Sequence, residues 1–252
     1  MTKTLCLYQP LNGYCYNSDT HFLYNFICKN LEQFKNIKGE LLDIGSGSGI
    51  LGLLVARDYD RLNLNQVEIQ KSFQFLSQKN SEVNGIQNNM YHGSVLDIEI
   101  NKQFTKESKA FDYIISNPPF YNNDVIKSEN ESLKIARYND NFPLDKFISK
   151  ASKLLSPKGK FFFCYDVKQI HNIIVELNNA KLNIEAIQFL HPKPSKEASL
   201  VMVYARKSSK SKLKVINPLI MFDENGEFTQ EVNDIYTKCS THSIKCEVEN
   251  RV

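Results

Sequence analysis

Residues 40–53 read ELLDIGSGSGILGL. The apolar run Glu40–Ile44 predicts a strand, and Leu51–Tyr59 predicts a helix. Between them Gly45, Gly47 and Gly49 alternate with serines. Glycines in such a turn let the backbone reverse sharply and approach a ligand closely. A strand that feeds a helix through a glycine loop is the unit from which open α/β sheets are built. Taken by itself, a G-x-G-x-G fits any βα turn.

Outward from this loop the pattern repeats. Leu64–Ile69 is a second strand, and Lys71–Asn84 a helix stopped by Gly85. Asn89–Gly93 is a third strand, and Phe111–Ser116 (FDYIIS) a fourth. Leu144–Leu155 is a helix ended by Ser156-Pro157-Lys158-Gly159, and Lys160–Tyr165 (KFFFCY) is a fifth strand. After a helix at Gln169–Asn179, Ile184–Leu190 and Leu200–Arg206 form a final pair. Seven strands, with helices between the first five, predict a doubly wound α/β domain. Its sheet is mostly parallel with a C-terminal antiparallel strand pair. A single domain is expected over 1–252: an N-terminal segment (1–39), a core (40–206) and a polar extension (207–252). In the extension Asp223–Gly226 reads as a turn and Thr229 as a helix cap.

The 252 residues are 42% hydrophobic and 23% charged, an ordinary globular composition. No two of the six cysteines form a C-x-x-C pair, which argues against zinc or dithiol chemistry. His21, His92, His171 and His242 show no ligand spacing, so no metal is expected, and His191 belongs to a basic loop. The opening MTKTLCLYQP lacks an apolar leader, and no run is long enough to cross a membrane. A reducing cytoplasm is the expected location. The net charge of +3 is uneven: residues 191–214 hold seven cations against Glu197 alone. That stretch is either a solvated loop or a phosphate-binding face.

Three carboxylates fall at the ends of successive strands, where open α/β sheets bind ligands. Asp43 precedes the glycine loop, where it would repel phosphates but attract an ammonium. Glu68 ends the second strand, where a carboxylate can accept from ribose hydroxyls. Asp97 follows the third, placed to accept from an adenine amine. Each alone also fits a surface acid. Together they suit a nucleoside ligand that lacks a pyrophosphate.

The fourth strand runs into Ser116-Asn117-Pro118-Pro119-Phe120. Prolines donate no ladder hydrogen bond; they stiffen the turn and leave its carbonyls free. A purine amine is a poor nucleophile because its lone pair is conjugated. Accepting both of its N–H protons, on the Asn117 side-chain oxygen and the Pro118 carbonyl, draws the nitrogen toward tetrahedral geometry. Phe120 offers a face on which a base can stack. Such catalysis is positioning and needs no metal and no dedicated base. A structural Pro-Pro turn is the alternative.

LLDIGSGSGILGL resembles the first motif of class I S-adenosylmethionine-dependent methyltransferases, and Asn117–Phe120 resembles the [NDS]-P-P-[YFW] signature of their amino-methylating members. The resemblance implies a Rossmann-like fold and S-adenosyl-L-methionine as cofactor. Gly45, Ser46, Gly47 and Gly49 would wrap its methionine part, beside Asp43. Glu68 with Ile69 would hold the ribose, and Asp97 with Val95 and Leu96 the adenine.

Tyr8–Asp19 (YQPLNGYCYNSD) is similar to the opening of bacterial tRNA (adenine-N6)-methyltransferases. Ala136-Arg137, His191-Pro192-Lys193, and Pro218 to Thr229 match later motifs of that family. Tyr138 stands where the family has histidine, and Lys193–Lys196 lacks its usual glycine. The resemblance implies methylation of adenine 37 in a valine tRNA. Tyr16 and Asp19 would close over cofactor and base, although a packed aromatic and a helix cap suit them equally. Lys193, Lys196, Arg206 and Lys207 would hold the anticodon stem-loop backbone. A monomer is favoured. Competing readings are a protein glutamine methyltransferase, a guanine-N2 rRNA methyltransferase, a DNA adenine methyltransferase and a binding protein without catalysis. The first lacks room here for its helical domain, and the third lacks a recognition domain.

Overall fold

The computed structural model describes residues 3–12, 15–98, 110–118 and 143–248. Its elements in chain order begin with β1 (Leu5–Pro10), α1 (Ser18–Leu31), β2 (Gly39–Ile44), α2 (Ile50–Asp58), β3 (Leu62–Glu68) and α3 (Lys71–Asn84). β4 (Asn88–His92), β5 (Phe111–Ser116), α4 (Leu144–Leu154), β6 (Leu155–Asp166) and α5 (Ile170–Asn179) follow. The chain continues with β7 (Leu182–His191), β8 (Leu200–Lys207), β9 (Lys214–Ile220), α6 (Gln230–Cys239) and β10 (Thr241–Cys246).

The main sheet has the order β4-β3-β2-β5-β6-β8-β7-β9. Its first five strands are parallel, and β8 runs antiparallel to both β6 and β7. The expected fold class is therefore present, with corrections. The main sheet has eight strands rather than seven, because β9 adds a parallel edge beside β7. Pro218 sits in that edge strand, where a missing N–H is tolerated. Residues 156–159 do not merely stop a helix. They bulge within β6, where the register to β5 jumps and Lys158 takes φ 64°.

Period-two alternation assigns the β6 side chains to the two faces of the sheet. Phe161 and Phe163 meet Phe147 of α4 at 5.3 and 5.8 Å between ring centres. Phe162 points the other way, stacked on Tyr204 and edge-on to Phe26 of α1. Cys164 shares the α1 face with Phe162. That face is covered by α1 and α2, and α1 is buried nearly all round.

The two ends of the described chain meet in a second sheet. β1 and β10 pair in parallel, Leu5 opposite Thr241 through Pro10 opposite Cys246. The outer edge of β1 bonds to α3 instead of to a third strand. Asn80 accepts from Tyr8 N and donates to Tyr8 O, at 2.7 and 3.0 Å. Asn84 does the same with Cys6, at 3.0 and 2.7 Å. Four residues apart, the two amides face one side of the helix and imitate a peptide ladder. The segments expected as an N-terminal piece and a polar extension thus include β1, β9 and β10. As expected, Gly85 is the left-handed cap of α3 and Thr229 caps α6.

Candidate cofactor cradle and base clamp

The glycine loop joins β2 to α2. Gly45, Gly47 and Gly49 take φ of 65°, 54° and 88°, a region L side chains avoid. β3 braces the loop from one side: Gly45 N and Ser46 N donate to Val67 O, and Gly47 N donates to Glu68 Oε2 at 2.8 Å. Beneath it lies a buried polar network. Gln66 Nε2 donates to Gly49 O and to Asp43 Oδ2. Its Oε1 accepts from Ser77 and Asn88. Asn80, besides holding β1, donates to Ser48 O at 2.8 Å.

The loop's outer surface is open. A Cβ built on Gly45 or Gly47 meets nothing within 4 Å, whereas one on Gly49 or Gly52 collides with the network below. Ser46 Oγ is buried without a partner. Ile69 follows Glu68 and is 51% exposed, an apolar side chain at a strand end beside the loop. Asp97 is exposed in a 3-10 turn, Val95–Asp97. An open cradle, an orphaned hydroxyl, a carboxylate and an exposed apolar side chain fit a nucleoside bearing an amino-acid arm. Gly45–Gly49 would hold the arm, Glu68 the ribose, and Ile69 and Asp97 the adenine.

Several expected roles change. Asp43 is 1% exposed, and its Oδ2 accepts from Gly52 N and Gln66, so it ties the start of α2 to the loop instead of attracting an ammonium. Burial lifts its carboxyl to about 7, against the hydrogen bonds from Gln66 and Gly52. Glu68 keeps its place but already accepts from Gly47 N and from Gln70 N. Burial raises its carboxyl too, opposed by those backbone N–H groups. Val95 is a core side chain, and Leu96 O accepts from Lys150. Tyr16 is a packed aromatic: its hydroxyl bonds Ser243 at 2.8 Å and its ring meets His21 edge-on. The N-cap of α1 is Asn17, not Asp19. Asp19 lies in the first turn, accepts from Asn17 Nδ2, and is lifted to about 6 by burial.

Asn117 and Pro118 follow β5 directly, next to β2. Ser116 Oγ donates to Ile44 O at 2.8 Å, which ties the two strand ends together. The Asn117 amide is half-buried, with Nδ2 donating to Thr20 at 3.0 Å and Oδ1 accepting from Cys164 at 2.8 Å. Sequence reading missed Thr20 and Cys164; no motif marks them. Pro119, Phe120, Ala136, Arg137 and Tyr138 lie outside the described residues.

The four expected RNA-binding cations do not form one face. Lys193 and Lys196 sit in the β7–β8 turn, at the carboxyl edge that carries Asn117. Arg206 and Lys207 lie at the opposite edge, because β8 runs back past β6 and pairs Arg206 with Lys160. Arg206 is engaged by Glu185 and Lys158 O. Lys207 donates to Ser152 O and Leu155 O at the end of α4, a cationic C-cap. Both are structural. A cleft of about 1310 Å³ also opens at this opposite edge, lined by Arg57, Asn63 and Asn88. We assign it no part in the site, which the loop and strand ends define.

Fold, glycine cradle and strand-end asparagine together define a class I S-adenosylmethionine-dependent methyltransferase fold. Residues 24–187 match the methyltransferase small domain family, and the chain belongs to it. A relative from Pedobacter heparinus named tRNA1(Val) (adenine(37)-N6)-methyltransferase is 26% identical over 162 residues, which is 64% of this chain and 67% of the relative. Across the first relatives the matched segment spans from about half to two thirds of their length. Among solved structures, a predicted O-methyltransferase from Agrobacterium tumefaciens superposes with TM-score 0.65 at 17% identity, over 90% of this chain and 99% of its own. A 16S rRNA methyltransferase of T. thermophilus, in complex with AdoMet and guanosine, gives 0.53 at 22% identity, over 78% of this chain and 45% of its own. No helix among the described residues is long and apolar enough to cross a membrane.

Proposed function

We propose that the protein transfers a methyl group from S-adenosylmethionine to the N6 amine of an adenine in tRNA, at the anticodon stem-loop. The observation that carries this is the placement of Asn117: a half-exposed amide at the end of β5, tied through Ser116 to the strand that bears the glycine cradle. The names of the relatives support the choice of acceptor.

When bound, S-adenosylmethionine supplies a methyl group on a cationic sulfur. The protein orients the acceptor. An amide oxygen has two lone pairs, of which Cys164 uses one. The other accepts one N–H of the adenine amine, and the Pro118 carbonyl accepts the second. The nitrogen lone pair then leaves the ring's conjugation and points at the methyl. The surplus proton departs to solvent after transfer. Phe120 stacks on the base. The adenine must first leave its stack, which costs less in an anticodon loop than in a duplex. Lys193 and Lys196, on the same edge as Asn117, hold phosphates without reading sequence.

The test uses labelled S-adenosylmethionine and total RNA from a strain lacking the gene. Label in N6-methyladenosine of the tRNA fraction is expected. Label only in protein or rRNA overturns the reading. Asn117→Ala abolishes transfer and leaves cofactor affinity intact.

A further inference from the structure

The clamp sits on a soft torsion. The terminal χ angle of asparagine has broad, two-fold wells. An amide turned by half a revolution presents N–H donors to an amine that needs an acceptor. Pro118 holds the Asn117 backbone in the extended region, but it leaves the side chain unconstrained.

Thr20 and Cys164 meet the two ends of that side chain. Thr20 is in the first turn of α1, and Cys164 is on the face of β6 that α1 covers. Both are buried, and neither belongs to the glycine loop or to the segment around Asn117. Burial, then the nearby Asp19 carboxylate, holds the Cys164 thiol well above its ordinary range. It therefore stays protonated and acts as a donor. Rotating the amide would turn its NH₂ toward sulfur, a weak acceptor, and forfeit the S–H···O bond.

Resting on the reading of Asn117 as the amine's acceptor, we propose that Thr20 and Cys164 are positioning residues. They lock the Asn117 amide with its oxygen toward the substrate nitrogen. Thr20 also ties the clamp to the N-terminal segment, so α1 and the end of β5 hold a common geometry.

The experiment compares Thr20→Val, Thr20→Ser, Cys164→Ala and Cys164→Ser in the full chain. Methyl transfer to tRNA adenine is measured with saturating cofactor, and S-adenosylhomocysteine affinity is read by calorimetry. Thr20→Val and Cys164→Ala each lower kcat by about 10- to 100-fold, the scale of a small misplacement at a reacting centre. The RNA KM and cofactor affinity stay within about two-fold, and the two serine variants recover most of the rate, as expected of a geometric effect. An unchanged kcat overturns the inference. So does an equal loss in the serine variants, or a fall in cofactor affinity that matches the fall in rate. If Cys164→Ala does not fold, the Thr20 pair decides. If the wild-type protein labels a different amine, the tRNA reading falls, and the same kcat split is then read on that amine.

Discussion

Gly49→Ala probes whether the network beneath the cradle is as tight as it looks. Gly49 has φ 88°, and a left-handed Ala costs about 1–2 kcal/mol. Its Cβ would lie 2.7 Å from Ser77 Oγ and 3.2 Å from the Gln66 amide. The hydroxyl must then swing away from Gln66 Oε1, its partner at 2.6 Å, which forfeits about 1 kcal/mol. Residual overpacking adds about 1–3 kcal/mol. The expected loss is about 3–6 kcal/mol, read from urea unfolding of the ligand-free protein. Ser77→Ala removes the obstructing oxygen, while Gln66 Oε1 keeps its bond from Asn88. In that background the same glycine substitution costs only the left-handed strain, about 1–2 kcal/mol. A double-mutant cycle therefore returns a coupling of about 2–4 kcal/mol. If the two losses add to within about 0.5 kcal/mol, Ser77 is not what the new methyl meets, and the reasoning fails.

Gly47→Ala is the counterpart on the open side. No atom lies within 4 Å of its Cβ, so stability falls by only about 1–2 kcal/mol, while the methyl enters cofactor space. Calorimetry should show S-adenosylhomocysteine affinity down more than about ten-fold, the worth of about 1.4 kcal/mol; unchanged affinity removes the loop from the cradle. Asp43→Asn tests the buried acid. Its folded value of about 7 exceeds the ordinary value of 3.8, so the native state holds a proton that the unfolded chain releases. Wild-type stability therefore falls as pH rises from about 4 to about 7. The uncharged amide lacks that decline, and parallel wild-type and variant pH profiles would refute it. Lys193→Glu with Lys196→Glu weakens RNA binding most at low salt. Lys207→Ala costs about 1 kcal/mol of stability and leaves RNA affinity unchanged; filter binding across a salt series separates the two.

The glycine loop was legible because its conformation demands its composition: three left-handed positions in five residues admit few other side chains. Asn117 was legible because an apolar strand delivers it to the ligand-binding edge. Thr20 and Cys164 left no trace, being distant in sequence and joined only where α1 crosses β6. The basic stretch misled because a count of charge ignores strand direction. From the turn at Lys196 to Lys207, β8 carries the chain across the sheet, roughly 3.3 Å per residue. β10 escaped notice for another reason: no residue in it is fully buried, so THSIKC carries no apolar alternation.

The β1–β10 pair sets an order of events. Leu5 and Thr241 lie far apart in sequence, so during synthesis β1 emerges long before its ladder partner. Contacts this remote are slow to close. In the interval Asn80 and Asn84 are the moorings available to β1, since α3 is made much earlier. Tyr16 and Ser18 wait likewise for Ser243 and Tyr236. The packing around the start of α1 thus closes last, once α6 and β10 have been made.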